Sequence, residues 1–249
     1  MKKSTQHIVR SKRLTALSGI IHGFTDKSWG DMRESVHRDA VFQSLGISSH
    51  TMVWPEQVHS TAVHKVVGED MGKIVRGADA LVLKYVQHGE IMEPCPLLAV
   101  HVADCVPMLF ADPVAGIVAA AHAGWRGTLA GIAQGVVTKM KDLGAEEKHI
   151  IVCFGPHIGD CCYNVPEKRA QQFWNRYGND RSIVRSTRLH TYVNLGKANY
   201  TDLVAAGVKE EHIDDIGVCT SCNNDTYFSY RKDKNGTFGE IMGFIGYRA

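Results

Sequence analysis

The chain has no apolar run long enough to cross a membrane. The longest, Val114 to Ala121, falls far short of the ~20 residues that a spanning helix needs. No export signal is expected either. The basic start MKKSTQHIVRSKR leads into LTALSGIIHGF, which is too short and polar for a signal core, and no small-residue cleavage pattern follows. The expected location is therefore the cytoplasm. Charge is close to balanced, with a formal net of +2, so neither nucleic acid nor an anionic membrane is expected as a partner. A small-molecule substrate is the expectation. Several familiar sites are missing too. There is no HExxH, no G-x(4)-G-K-[ST] and no GxGxxG, which removes zincin, P-loop and dinucleotide fingerprints. The zinc deaminase signature H-x-E…P-C-x-x-C is absent. Among 13 histidines there is not one His-x-His pair, the usual holder of several coppers.

No linker, charge block or repeat divides the sequence, so residues 19–249 read as one domain behind an N-terminal extension, 1–18. Short apolar runs predict strands over 19–24, 52–58, 80–83, 97–102, 116–122, 149–154 and 216–219. The runs 226–230 and 240–247 predict a closing antiparallel pair turning at Lys234-Asn235-Gly236. Helical spacing of Leu129, Ile132, Ala133, Val136, Val137, Met140 and Leu143 predicts one helix stopped by Gly144. Pro166 opens a second, and a third runs from about 196 to 206. Helices alternate with strands in the middle and strands cluster at the ends. That pattern is α+β (mixed α/β), with mixed sheets covered by helices.

Seven cysteines, an odd number without an export signal, suggest thiols or metal ligands rather than a disulfide framework. Cys105 follows Asp104 at the end of one apolar run, and His122 closes the next, just before Gly124-Trp125-Arg126-Gly127. If those strands are neighbours, thiol and imidazole meet at one sheet edge. His59, near the end of another run, would complete a three-donor set for Zn²⁺ with a fourth position open, the mark of a catalytic site. The competing reading is a small buried thiol and hydrogen-bonded histidines. Arg126, at a strand-to-helix turn, either clamps a phosphate or carboxylate or is simply solvated. Asp104 either carries a proton, orients the neighbouring ligand, or caps a turn. Cys219-Thr-Ser-Cys222 is a CxxC with no second pair at zinc-ribbon distance; it reads first as a tight turn of reduced thiols, with redox or metal work as the alternative. Adjacent Cys161 and Cys162 would face opposite ways if extended, making a poor chelate.

The assembled blocks are His22-Gly-Phe-Thr25, 56-EQVHS-60, 78-ADALV-82, 103-ADCVPMLFAD-112, AAHAGWRGTL ending at Leu129, 155-GPHIGDCCYNV-165 and 219-CTSCNNDTYFSYR-231. With them the chain resembles the polyphenol-oxidase-like, laccase-domain family, also called the YfiH family. The resemblance implies zinc ligands at His59, Cys105 and His122, and a layered α/β/β/α sandwich of mixed sheets. It implies zinc-dependent phosphorolysis of purine nucleosides (adenosine, inosine, guanosine, methylthioadenosine) with phosphate as co-substrate, and adenosine deamination. Older naming implies a copper-dependent polyphenol oxidase instead, with copper entering the same His₂Cys set. A third implied activity removes wrong amino acids from peptidoglycan precursors, which a Cys105 nucleophile with His122 as base would serve without metal. One departure concerns the pocket. After Thr25 the chain runs DKSWGDMRESVHRDAVFQSLG, shorter than in many members, and substrate preference could follow that loop.

Overall fold

The computed structural model describes residues 6–87, 90–91, 95–233 and 238–248. Two six-stranded sheets carry the fold. The first runs Ile8–Val9, Ile20–Thr25, Ile241–Tyr247, Leu97–Val102, Met52–Pro55, Ile74–Val75. The second runs Ile213–Asp215, Ile151–Phe154, Val106–Asp112, Ile117–Ala123, Ala80–Lys84, Val63–Lys65. Both mix parallel and antiparallel neighbours.

Alternation along the strands explains why the sheets stack. In Ile117–Ala123, Val118 and Ala120 face the other sheet, while Ile117, Ala119, Ala121 and Ala123 face the helices. In Leu97–Val102, Leu98 and Val100 face inward and Leu97 and Ala99 outward. Strands buried on both faces need apolar residues at every position, which is why these segments read as unbroken runs. The helix Ile132–Asp142 lays Ile132, Ala133, Val136, Val137 and Met140 against the second sheet. On the far side, Val41 and Phe42 of Ser35–Leu45 join Trp29 and Met32 against the first. The order of layers is α/β/β/α, as the resemblance implied.

Several local expectations change. The helix expected from Leu129 is two: Trp125–Ala130 ends at Gly131, whose φ of 85° lies in the left-handed region, and Ile132–Asp142 starts there. Gly144 (φ 104°) does end the second. Residues 226–230 are not a strand. Their backbone is spent on turns, Thr226 and Tyr227 donating to the Asn223 carbonyl. Ile241–Tyr247 pairs instead with Ile20–Thr25 and Leu97–Val102, and the expected turn at 234–236 lies outside the described residues. The run 216–219 gives only a single bridge, Cys219 to His157, the strand lying just before it at Ile213–Asp215. The segment expected as an extension is stitched on from residue 8. Ile8 and Val9 pair with Thr25 and Phe24, Leu14 is buried, and Ser11 donates to Asp214 (2.7 Å). No helix among the described residues is long and apolar enough to cross a membrane.

Candidate metal centre

Cys105 and His59 both lie where the chain leaves the first sheet for the second. Cys105 sits in the short passage between Leu97–Val102 and Val106–Asp112. His59 sits in the passage between Met52–Pro55 and Val63–Lys65. The expected meeting at one sheet edge is therefore a meeting where the ends of two sheets converge. His122 lies near the end of the strand that pairs with Val106–Asp112, opposite Pro107. One donor atom from each of His59, Cys105 and His122 falls within 4.8 Å of the others. The two imidazoles stand edge to face, 4.9 Å between centroids.

Backbone strain is concentrated here. Among the described residues, the non-glycine positions with left-handed φ are Gln57 (63°), His59 (62°) and Asp104 (85°). Each such position costs about 1–3 kcal/mol and survives only where the surroundings impose it. The surroundings can be named. The Gln57 side-chain amide exchanges two hydrogen bonds with the His101 backbone (2.7 and 2.8 Å), and the Gln57 N–H donates to the Ala78 carbonyl. Asp104 accepts from the Thr220 hydroxyl and the Arg231 N–H, both at 2.6 Å, and its carbonyl accepts from Ile158. Gly124 has no side chain for a steric reason: a Cβ there would stand 2.7 Å from His59 Cδ2 and 3.2 Å from Cys105 Sγ.

Asp79 holds two of the three donors in place, and the sequence reading missed it. Fully buried, it accepts from His122 Nδ1 (3.0 Å), the His59 N–H (2.9 Å), the Ser60 N–H (2.6 Å) and the Ser60 hydroxyl (2.8 Å). With Nδ1 committed to a carboxylate, His122 presents Nε2 to an ion, the usual carboxylate–histidine arrangement of zinc sites. An aspartate inside the otherwise apolar block ADALV was the available signal. Burial pushes the Cys105 thiol up. The His122 charge and hydrogen bonds from His122 and His59 outweigh that push and bring it down to about 7. Burial opposes charge on His122 as well, but the Cys105 thiolate and Asp79 raise it to about 10. Without an ion the pair is thus a thiolate beside an imidazolium. A cation would take the place of the His122 proton, and a divalent ion of the borderline-soft kind suits two nitrogens and a sulfur. The residues fit the metal.

The three donors floor a cavity of about 680 Å³. Its walls include Trp54, Trp125, Tyr163, Tyr230 and Phe238, with Arg169, Arg231, His101 and Glu240 as polar members. Arg126 is absent from that wall: it is exposed and packs over Trp125. Arg169 lies over the same indole at 4.2 Å, donates to the Tyr163 hydroxyl (3.2 Å), and has a buried Nε without a partner among the described residues. Arg231 lies over Tyr163. Burial lowers His101 to about 4 and raises the Glu240 carboxyl above its ordinary range.

Residues 22–248 match the family model described as multi-copper polyphenol oxidoreductase laccase. The chain belongs to that family. A curated relative, purine nucleoside phosphorylase YlmD of Geobacillus stearothermophilus, is 36% identical over 88% of this chain and 81% of its own. Adenosine deaminase RL5, from an unknown prokaryotic organism, is 34% identical over 76% of this chain and 72% of its own. The solved structure of the Geobacillus YlmD superposes with a TM-score of 0.82 at 33% identity, covering 96% of this chain and 94% of that one. The family's name speaks of several coppers. The donors here form one His₂Cys group, plus a separate group of four cysteines, among the described residues.

Proposed function

We propose that the protein is a zinc-dependent purine nucleoside phosphorylase that also deaminates adenosine. The observation that carries this reading is the open set of three donors, His59, Cys105 and His122, on the floor of a cavity with aromatic walls and two arginines. Three protein donors leave a position for a reactant. Flat indole and phenol rings suit a purine. The names of the two curated relatives agree with it. When bound, zinc supplies Lewis-acid polarisation of a substrate atom.

The chain's own residues then divide the work. Trp54, Trp125 and Tyr230 enclose the base. Arg169, and not the exposed Arg126, holds phosphate, because its buried Nε is unpaired and a guanidinium matches a phosphate edge. Phosphorolysis forms a phosphate O–C1′ bond and breaks C1′–N9, and the departing base needs a proton at nitrogen. Glu240, raised by burial, keeps a proton to higher pH than an ordinary glutamate and supplies it. Asp104 is a positioning residue. Both its oxygens are occupied by Thr220 and Arg231, and it fixes the left-handed turn before Cys105.

A hydrolase without metal is the second reading, favoured by the Cys105 thiol at about 7 beside His122. One preparation separates the two. Purified protein is given inosine and phosphate, and ribose 1-phosphate is measured with and without a strong chelator, then in Cys105→Ala. Loss of product in both cases is expected. Unchanged turnover in Cys105→Ala refutes the assignment, and turnover that survives the chelator but not an alkylator favours the hydrolase.

A further inference from the structure

Outside the cavity, the CxxC and the adjacent cysteine pair come together. Cys161 and Cys162 are not extended, so they do not point apart. The chain coils back at Gly159, whose carbonyl accepts from the N–H groups of Cys162 (3.0 Å) and Tyr163 (2.9 Å). That turn sends both sulfurs to the same side. Cys161 Sγ and Cys162 Sγ lie 3.5 and 3.4 Å from Cys222 Sγ, and all four sulfurs of Cys161, Cys162, Cys219 and Cys222 fall within 4.8 Å of one another.

We propose that these four cysteines hold a structural divalent zinc ion, a second metal site independent of the His₂Cys centre. A Zn–S bond of about 2.3 Å puts the corners of a tetrahedron about 3.8 Å apart, which is the spacing scale of this cluster. Three further features support a closed thiolate site. The Gly159 N–H donates to Cys219 Sγ (3.3 Å), the kind of hydrogen bond that steadies a ligand sulfur. Gly159 is the turn residue that lets the sulfurs in: a Cβ there would stand 3.2 Å from Cys161 Sγ and 3.4 Å from Cys219 Cβ. All four are free thiols, with contact distances far from the ~2.05 Å of a disulfide. Four protein donors close the coordination shell, so the ion holds structure and leaves no position for a reactant.

What it holds is the cavity wall. The two cysteine-bearing segments are joined by the His157–Cys219 bridge and by the Thr220 N–H on the His157 carbonyl (3.0 Å). One segment carries Ile158 and Tyr163 into the cavity. The other donates through Thr220 to Asp104, the residue before Cys105, and leads to Tyr230 and Arg231. The second ion therefore clamps the wall to the turn that aims the first ion's sulfur.

The test is metal stoichiometry on the full chain. Protein stripped by a chelator under reducing conditions is titrated with zinc, and separately with cobalt. Two equivalents are expected in the wild type. Cys222→Ser should bind one and lose the cobalt absorption of a four-thiolate tetrahedron. Cys105→Ala should also bind one but keep that absorption, so failure of the His₂Cys reading is distinguishable from failure of this one. If Cys222→Ser does not fold, wild-type protein decides. Iodoacetamide labelling mapped by mass spectrometry should mark Cys161, Cys162, Cys219 and Cys222 only after chelation. Equal labelling with and without zinc overturns the proposal. So does recovery of a Cys222 disulfide from protein that takes up no second equivalent.

Discussion

Replacing Asp79 with asparagine tests whether that carboxylate sets the geometry of the His₂Cys centre. Each oxygen accepts twice: Oδ1 from His122 Nδ1 and the His59 N–H, Oδ2 from the N–H and hydroxyl of Ser60. Asparagine keeps one acceptor and turns the other into an NH₂ that meets donors. If the NH₂ takes the Oδ1 place, the His59 N–H loses its acceptor. His122 Nδ1 must then accept, which moves the ring proton to Nε2, the atom meant for the ion. If it takes the Oδ2 place, the Ser60 N–H is stranded. Either way at least one part-buried donor goes unpaired, at up to about 1–3 kcal/mol. Loss of an outer carboxylate partner lowers metal affinity about 10- to 100-fold, or about 1.4–2.7 kcal/mol. The assay is competition for zinc against a chelator of known affinity, alongside thermal melting of the metal-free protein. Asp79→Asn should give up zinc at a lower chelator concentration and melt lower. Wild-type affinity in Asp79→Asn would refute the role assigned to this residue.

Two further perturbations reach other parts of the site. In metal-free protein, alkylation of Cys105 should rise through an apparent pKa of about 7, and His122→Ala should shift that midpoint upward, because burial is then opposed by His59 alone. Cys105, depressed on folding, lends stability that is lost as pH falls through about 7. His122, raised on folding, lends stability that is lost as pH climbs to about 10. The melting advantage of metal-free wild type over Cys105→Ala should therefore be largest between those values, and a flat difference from pH 5 to 11 would count against the pair. Removing Arg169 should raise KM for phosphate about 10- to 100-fold, the value of a lost charge-assisted hydrogen bond. The exposed Arg126→Ala should change it less than about twofold. The reverse order would return the anion site to Arg126.

The strands were legible because burial on both faces demands unbroken apolar runs, and Leu97–Val102 falls at its expected bounds. Ser35–Leu45 escaped because only Val41 and Phe42 are buried on it, too few to set a helical period. Thr226–Tyr230 misled for the opposite reason. It is aromatic and alternating, yet the backbone hydrogen bonds that decide its shape run from Thr226 and Tyr227 to the Asn223 carbonyl, and side-chain polarity does not show them. The cluster of His59, Cys105 and His122 was proposed on their place at the ends of apolar runs and on the family resemblance. Asp79, Arg169 and the four-cysteine cluster depend on contacts between segments far apart in the chain. Cys161 and Cys162 were discounted on an assumption of extended backbone that the turn at Gly159 removes.

The left-handed residues Gln57, His59 and Asp104 sit in passages anchored at both ends by different sheets. A peptide covering 54–60, or a loop transplanted onto another scaffold, would relax out of those conformations, since nothing local rewards them. Engineering this centre elsewhere would mean moving a pair of docked sheets and the buried aspartate between them, because the three donors are a property of the sandwich and are not carried by any one segment.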